Sequence, residues 1–110
     1  MIRIVFWQEE GGALAGFTIS GHAGYRPKGE DIVCAAVSAL AQTAVLSLKE
    51  HLAEEPEVRI EEGFLECRLP PSLKSSGKER ARVILETIAT GLKAIARDYK
   101  EYLRLEYRRV

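Results

Sequence analysis

Gly21–Ser38 reads GHAGYRPKGEDIVCAAVS, and along it the chain leaves a strand, crosses a loop and enters a helix. Residues 23–30 hold two glycines, a proline and three charged side chains, a composition that interrupts regular structure. Asp31 is placed to cap the helix that follows, because a carboxylate accepts the unpaired N–H groups of a first turn and meets the positive end of the helix dipole. The spacing predicts a helix from Asp31 to about Leu52, with Pro56 beyond its end. Val33, Ala36, Val37, Leu40, Ala41, Ala44, Val45 and Leu48, with Ala35 and Leu46 on other sides, nearly encircle its axis. One sheet face cannot cover that much apolar surface, so a second helix or a partner subunit is expected to pack there.

Upstream, Ile2, Ile4 and Phe6 alternate with Arg3, Val5 and Trp7, as in an inner strand, and Glu9-Glu10-Gly11-Gly12 makes a hairpin turn. A second strand is expected from about Ala13 to Gly21, with Ala15, Phe17 and Ile19 on one face and His22 at its exit. Downstream, Val58 and Ile60, the turn Glu61-Glu62-Gly63, and then Leu65, Cys67 and Leu69 opposite Glu66 and Arg68 make a second hairpin, which Pro70 and Pro71 end. Ser76 with Glu79 three residues on reads as a capping box opening a second helix. Its stripe is Ala81, Ile84, Leu85, Ile88, Leu92, Ile95 and Tyr99, with Gly91 as an interruption. A last strand alternates Leu103, Leu105 and Tyr107 with Arg104, Glu106 and Arg108. The order ββαββαβ implies an α+β two-layer sandwich, a mostly antiparallel sheet with two helices on one face. Residues 1–110 are expected to form a single domain, large enough to bury roughly 65% of the unfolded surface.

Sixteen basic and sixteen acidic residues cancel, so no global field draws the chain to nucleic acid or anionic lipid. Cys34 and Cys67 have neither disulfide-framework nor zinc-knuckle spacing, which favours a reducing, cytoplasmic setting. The start MIRIVFWQEE turns acidic within ten residues, unlike a signal peptide. The weakly polar run Ile32–Leu48 is short for a membrane span and reads as a buried helix.

With Asp31 as cap, Cys34 stands in the first helical turn, where unpaired N–H groups favour a thiolate and are available to an oxyanion. Ser38 follows at i+4 on the same face, and Asp31 precedes at i−3. His22 lies across the loop, which is able to fold back and bring an imidazole to the sulfur. Plainer roles compete: a cysteine in an apolar helix is often a packing residue, as Cys67 on the inward face of its strand is expected to be, and a histidine at a strand end is often a surface residue. His51 is explained as a cation at the negative end of its helix. His22, Cys34, His51 and Cys67 show no local pairing that suggests a zinc site, and no metal or cofactor is implied.

Gly21-His22-Ala23, the loop to Glu30, and Asp31-Ile32-Val33-Cys34-Ala35-Ala36-Val37-Ser38 closely resemble the signature of the bacterial ribosomal-processing cysteine protease (Prp) family. The resemblance implies His22 as general base and Cys34 as nucleophile, with Gly21, Asp31 and Ser38 supporting the site or holding substrate. It implies a loop that acts as a lid, a homodimer, and a peptide substrate. That substrate is the short leucine-rich, aromatic-ending N-terminal extension on the precursor of large-subunit ribosomal protein twenty-seven. The ending Tyr107-Arg108-Arg109 departs from the family pattern and leaves an RNA or ribosome contact open. The rival from another class is a non-enzymatic ribosome-assembly or RNA-binding module, against which neutral net charge and the lack of an aromatic-basic stripe argue.

Overall fold

The computed structural model describes Met1–Val110, and its elements follow the order read from sequence: β1 (Ile2–Gln8), β2 (Leu14–Ser20), α1 (Ile32–His51), β3 (Glu57–Glu61), β4 (Phe64–Arg68), α2 (Ser75–Asp98) and β5 (Leu103–Arg109). The strands form one sheet in the order β3-β4-β2-β1-β5. Three of its pairings are antiparallel, and β5 joins β1 in parallel, Ile2 opposite Leu103 and Gln8 opposite Arg109. The parallel pair follows from the long α2 crossover, since only a hairpin forces neighbours to run in opposite directions.

Alternation places Ile2, Ile4 and Phe6 of β1 with Phe17 and Ile19 of β2 and Cys67 of β4 in one buried cluster, which Val33, Val37, Ala41, Ala44, Val45 and Leu48 of α1 and Ala81, Leu85, Ile88, Ala89 and Leu92 of α2 complete. The β1–β2 ladder slips one residue between Trp7 and Gln8, where Trp7 pairs with Gly16 and Gln8 with Leu14. Ala15 is the extra residue of that bulge, so Leu14, and not Ala15 as the alternation suggested, is the buried member at this end of β2. The outer face carries polar chemistry: the Trp7 indole N–H donates to the Thr18 hydroxyl, which donates to Glu66, and the Arg68 guanidinium lies over the Trp7 ring.

The sequence's capping box does not form. α2 opens at Ser75 with Lys74 as its N-cap residue and no side-chain cap. Glu79 instead takes two hydrogen bonds from Arg82 at 2.6 and 3.1 Å, because a bidentate charge-assisted pair at i,i+3 outbids a single backbone N–H. Gly91, which interrupts the helical pattern, is where Leu40 of α1 packs; a Cβ there would stand 3.0 Å from Leu40 Cδ1. The helices thus approach each other closely. By length and composition α1 would suffice to cross a membrane, but six of its residues lie in the core. Its outward side retains Ile32 at 56% and Leu46 at 65% exposure among small and polar residues.

Candidate active site

The site grows from the cap of α1. Asp31 is 9% exposed and all its acceptors are engaged: Oδ1 accepts from the N–H groups of Val33 and Cys34, both at 3.0 Å, and Oδ2 from those of Tyr25 at 3.0 Å and Arg26 at 3.4 Å. The same carboxylate therefore holds the helix start and the preceding loop together. Burial pushes this carboxyl up, but the N–H groups of Cys34, Arg26 and Tyr25 more than offset it and hold its pKa below the ordinary 3.8.

This geometry revises two expectations. The Val33 and Cys34 amides point at Asp31, and the Ala35 amide donates to the Asp31 carbonyl, so the first-turn donors expected to hold an oxyanion are occupied by the cap. The loop is also tethered over half its length. Its Ala23 N–H meets Cys34 Sγ at 3.4 Å, and the Tyr25 ring packs edge-on against Tyr99 and Tyr102. Only the tip, closed by Glu30 N–H to the Pro27 carbonyl, lies beyond these anchors, and there Lys28 reaches Glu62 at 3.4 Å.

Gly21, His22, Cys34 and Ser38 line one cleft of about 230 Å³ between α1 and the β3–β4 hairpin, whose floor includes Ile19, Val37 and Ala41 and whose far wall includes Ile60, Gly63 and Leu65. It continues past His22 and Cys34 into a more open lobe of about 500 Å³ lined by Arg26, Lys28, Asp31, Ala35 and Glu62. Cys34 is partly exposed and His22 and Ser38 are exposed, so all three are open to a ligand in the cleft. Gly21 has φ +88, and a Cβ there would come within 2.4 Å of the Met1 carbonyl oxygen; the close approach it permits is to its own chain. Cys67 is sealed in the core, where burial pushes its thiol up to about 11 despite Lys49 nearby. It does not reach the cleft, and His51 lies at the opposite end of α1, so the chain's cysteines and histidines do not converge as a metal set.

Sequence reasoning missed the hairpin wall, above all Ile60, Glu62 and Gly63, and the Ala23 amide. The turn at Glu61–Gly63 was legible only as a turn, because its place opposite Cys34 comes from the β2–β4 pairing of residues more than forty positions apart. A backbone donor leaves no trace in residue types.

Residues 1–104 match the family model described as cysteine protease Prp. The ribosomal processing cysteine protease Prp of Bacillus subtilis is 31% identical over 107 residues, covering 96% of either chain. A crystal structure of the ribosomal processing protease Prp from S. aureus with a covalently linked product peptide superposes with a TM-score of 0.87 at 27% identity, covering 98% of this chain and 100% of that one. Another, of the same S. aureus protease with a substrate peptide, gives a TM-score of 0.82 at 26% identity over the same shares.

Two measurements check the site. Native protein treated with iodoacetamide should take up one alkyl group per chain, at Cys34, and a second only in denaturant; equal labelling of Cys67 in the native state would contradict its burial. Because the Asp31 pKa is lowered on folding, its contribution to stability is present above pH 3.8 and is lost as pH falls through the lowered value. Asp31→Asn turns an NH₂ toward the Tyr25 and Arg26 amides, so its melting temperature should lie below wild type at neutral pH and converge with it in acid. A gap that persists in acid would show that the carboxylate charge is not the cause.

Proposed function

The chain belongs to the Prp family of ribosomal processing cysteine proteases, and from that premise we propose a dyad mechanism, with Cys34 as nucleophile and His22 as its base. The observation that carries the proposal is that Cys34 and His22, twelve positions apart in sequence, line one cleft where its two lobes meet. His22 takes the Cys34 proton, and the thiolate attacks the scissile carbonyl to give a tetrahedral intermediate. Collapse expels the amine, protonated by the imidazolium, and leaves an acyl-enzyme. Water, deprotonated by His22, then releases the new carboxylate. The Ala23 N–H, which donates to the sulfur, stabilises the thiolate and lies beside the carbon on which the oxyanion develops. Asp31 fixes both sides of the site through its cap, Gly21 lets the strand exit close on Met1, and Ser38 meets the substrate backbone. No cofactor takes part.

The substrate proposed is the N-terminal extension of the precursor of large-subunit ribosomal protein twenty-seven. The apolar side chains of the smaller lobe, with Ile60 at 66% exposure beside Val37 and Ala41, suit a segment rich in leucine and aromatic residues. The whole chain, 1–110, acts as one protease domain in the cytoplasm, with no membrane attachment. As for the rival RNA-binding module, Arg59, Arg68 and Arg108 on the open sheet face each have a glutamate partner while Arg3 and Arg104 beside them do not, so what speaks against it is the neutral net charge. The part of β5 past residue 104 lies outside the family match, so its basic end remains the place for any ribosome contact.

Incubation with a synthetic extended precursor peptide, read by mass spectrometry, should give one cut that falls by roughly a thousandfold or more in Cys34→Ala and in His22→Ala. Cleavage that survives Cys34→Ala refutes the mechanism, and peptide or RNA binding untouched by alkylation of Cys34, with no cut, would favour the rival.

A homodimer is proposed from the outward side of α1, where Ile32 and Leu46 stand exposed among small residues. A stable two-fold interface would cover on the order of 800 Å² per partner. Sedimentation at micromolar concentration should give about twice the mass of the chain, and a clean monomer would refute the dimer.

A further inference from the structure

The β3–β4 turn touches the site at one point that none of the roles above uses. Gly63 has φ +67, and a Cβ built on it would stand 2.9 Å from His22 Nε2, 3.5 Å from Cε1 and 3.6 Å from Cδ2. The Nε2 corner of the imidazole therefore lies against the bare face of this glycine. The same residue holds the main chain just ahead of the ring, for its carbonyl accepts the Gly21 N–H at 2.8 Å and so extends the β2–β4 ladder one step beyond Ser20 and Phe64. Both contacts act on His22 from the wall of the cleft facing Cys34.

We propose that Gly63 is a positioning residue for the His22 imidazole: the turn fixes the strand exit, and the missing side chain lets the ring settle where it shares the cleft with the Cys34 sulfur. This rests on the reading of His22 as the base. A side chain at Gly63 has two consequences. The backbone resists φ +67, as it would in any left-handed turn, and the added Cβ displaces the ring from its seat. Only the second is particular to this place. Displacement of a reacting group by about 1 Å is enough to cost up to a hundredfold in rate.

The chain contains its own control. Gly12, in the β1–β2 turn, has φ +95 with open space where a Cβ would go, so Gly12→Ala meets the backbone resistance without a contact. Gly63→Asn supplies the complementary case, since asparagine tolerates the left-handed region yet still carries a Cβ. Four variants, Gly63→Ala, Gly63→Asn, Gly12→Ala and His22→Ala, would be compared in kcat and KM on the extended precursor peptide and in the rate of Cys34 alkylation across pH, which needs no substrate. Both Gly63 variants should lose roughly tenfold or more in kcat with KM within about twofold, and their Cys34 should alkylate several-fold more slowly at neutral pH with the rate at high pH unchanged. Gly12→Ala should match wild type in all of these. A folded Gly63→Asn with wild-type kcat and alkylation profile overturns the proposal, and so does its failure to fold, which would make Gly63 a residue of folding. If His22→Ala itself keeps wild-type activity and profile, the reading of His22 as base falls first; if it is inactive while Gly63→Asn is normal, only the role of Gly63 falls.

Discussion

One carboxylate organises the reactive end of this molecule. Asp31 joins two segments, a glycine-containing loop and the first turn of α1, by accepting from backbone N–H groups on both. A neutral cap satisfies one or two donors of the helix alone; an ionised carboxylate with two oxygens accepts from four, and the partial positive charge of a helix start lies on the same side. The result is a loop whose Ala23 amide is held at the Cys34 sulfur and whose Tyr25 ring is seated between Tyr99 and Tyr102. The cysteine thus has its surroundings assembled before a substrate arrives.

The cleft itself is a product of incomplete coverage. α2 packs over β2 and β5, and α1 lies beside α2, so the sheet projects past the helices on its β3 side. Ile60 and Leu65 on that overhang look across at α1 without touching a third layer, which leaves a trough with an apolar floor along one flank of the helix. A third helix laid over that flank would have made a more conventional core and removed the trough. Part of the apolar surplus that encircles α1 in sequence therefore has a use within one copy, while the remainder, at Ile32 and Leu46, stays outside.

Much of this was legible beforehand, for identifiable reasons. Local rules decided α1, since the cap, its first turn and its end at Leu52 depend on neighbours within four residues. Alternation decided the strands and placed Cys67 inside. It erred at Ala15, where one bulged residue inverts the facing of the strand end, because a bulge is a property of the pair of strands and not of either alone. The capping-box reading erred at Ser76 and Glu79, where a competing arginine at i+3 won the carboxylate. In the site, His22, Asp31 and Cys34 could be picked out because they are chemically distinctive and close in sequence. Ile60, Gly63 and Ala23 could not, since their parts are played by position: a wall supplied by sheet order, the lack of a side chain, and a main-chain donor.

The parallel seam between β1 and β5 also has a bearing on when the molecule is able to work. The seat for Tyr25 is built from Tyr99 and Tyr102, at the end of α2 and the approach to β5, and the Ile2 amide is bound by the Tyr102 carbonyl. While a chain is being synthesised, both hairpins and α1 emerge with their own partners, but β1 keeps an open edge and the Tyr25 ring lacks its seat until the segment from Tyr99 to β5 is in place. Contacts between residues roughly a hundred positions apart close late in folding. The loop beside Cys34 is therefore finished only when the two ends of the chain meet, since the aromatic seat for Tyr25 comes with the approach to β5.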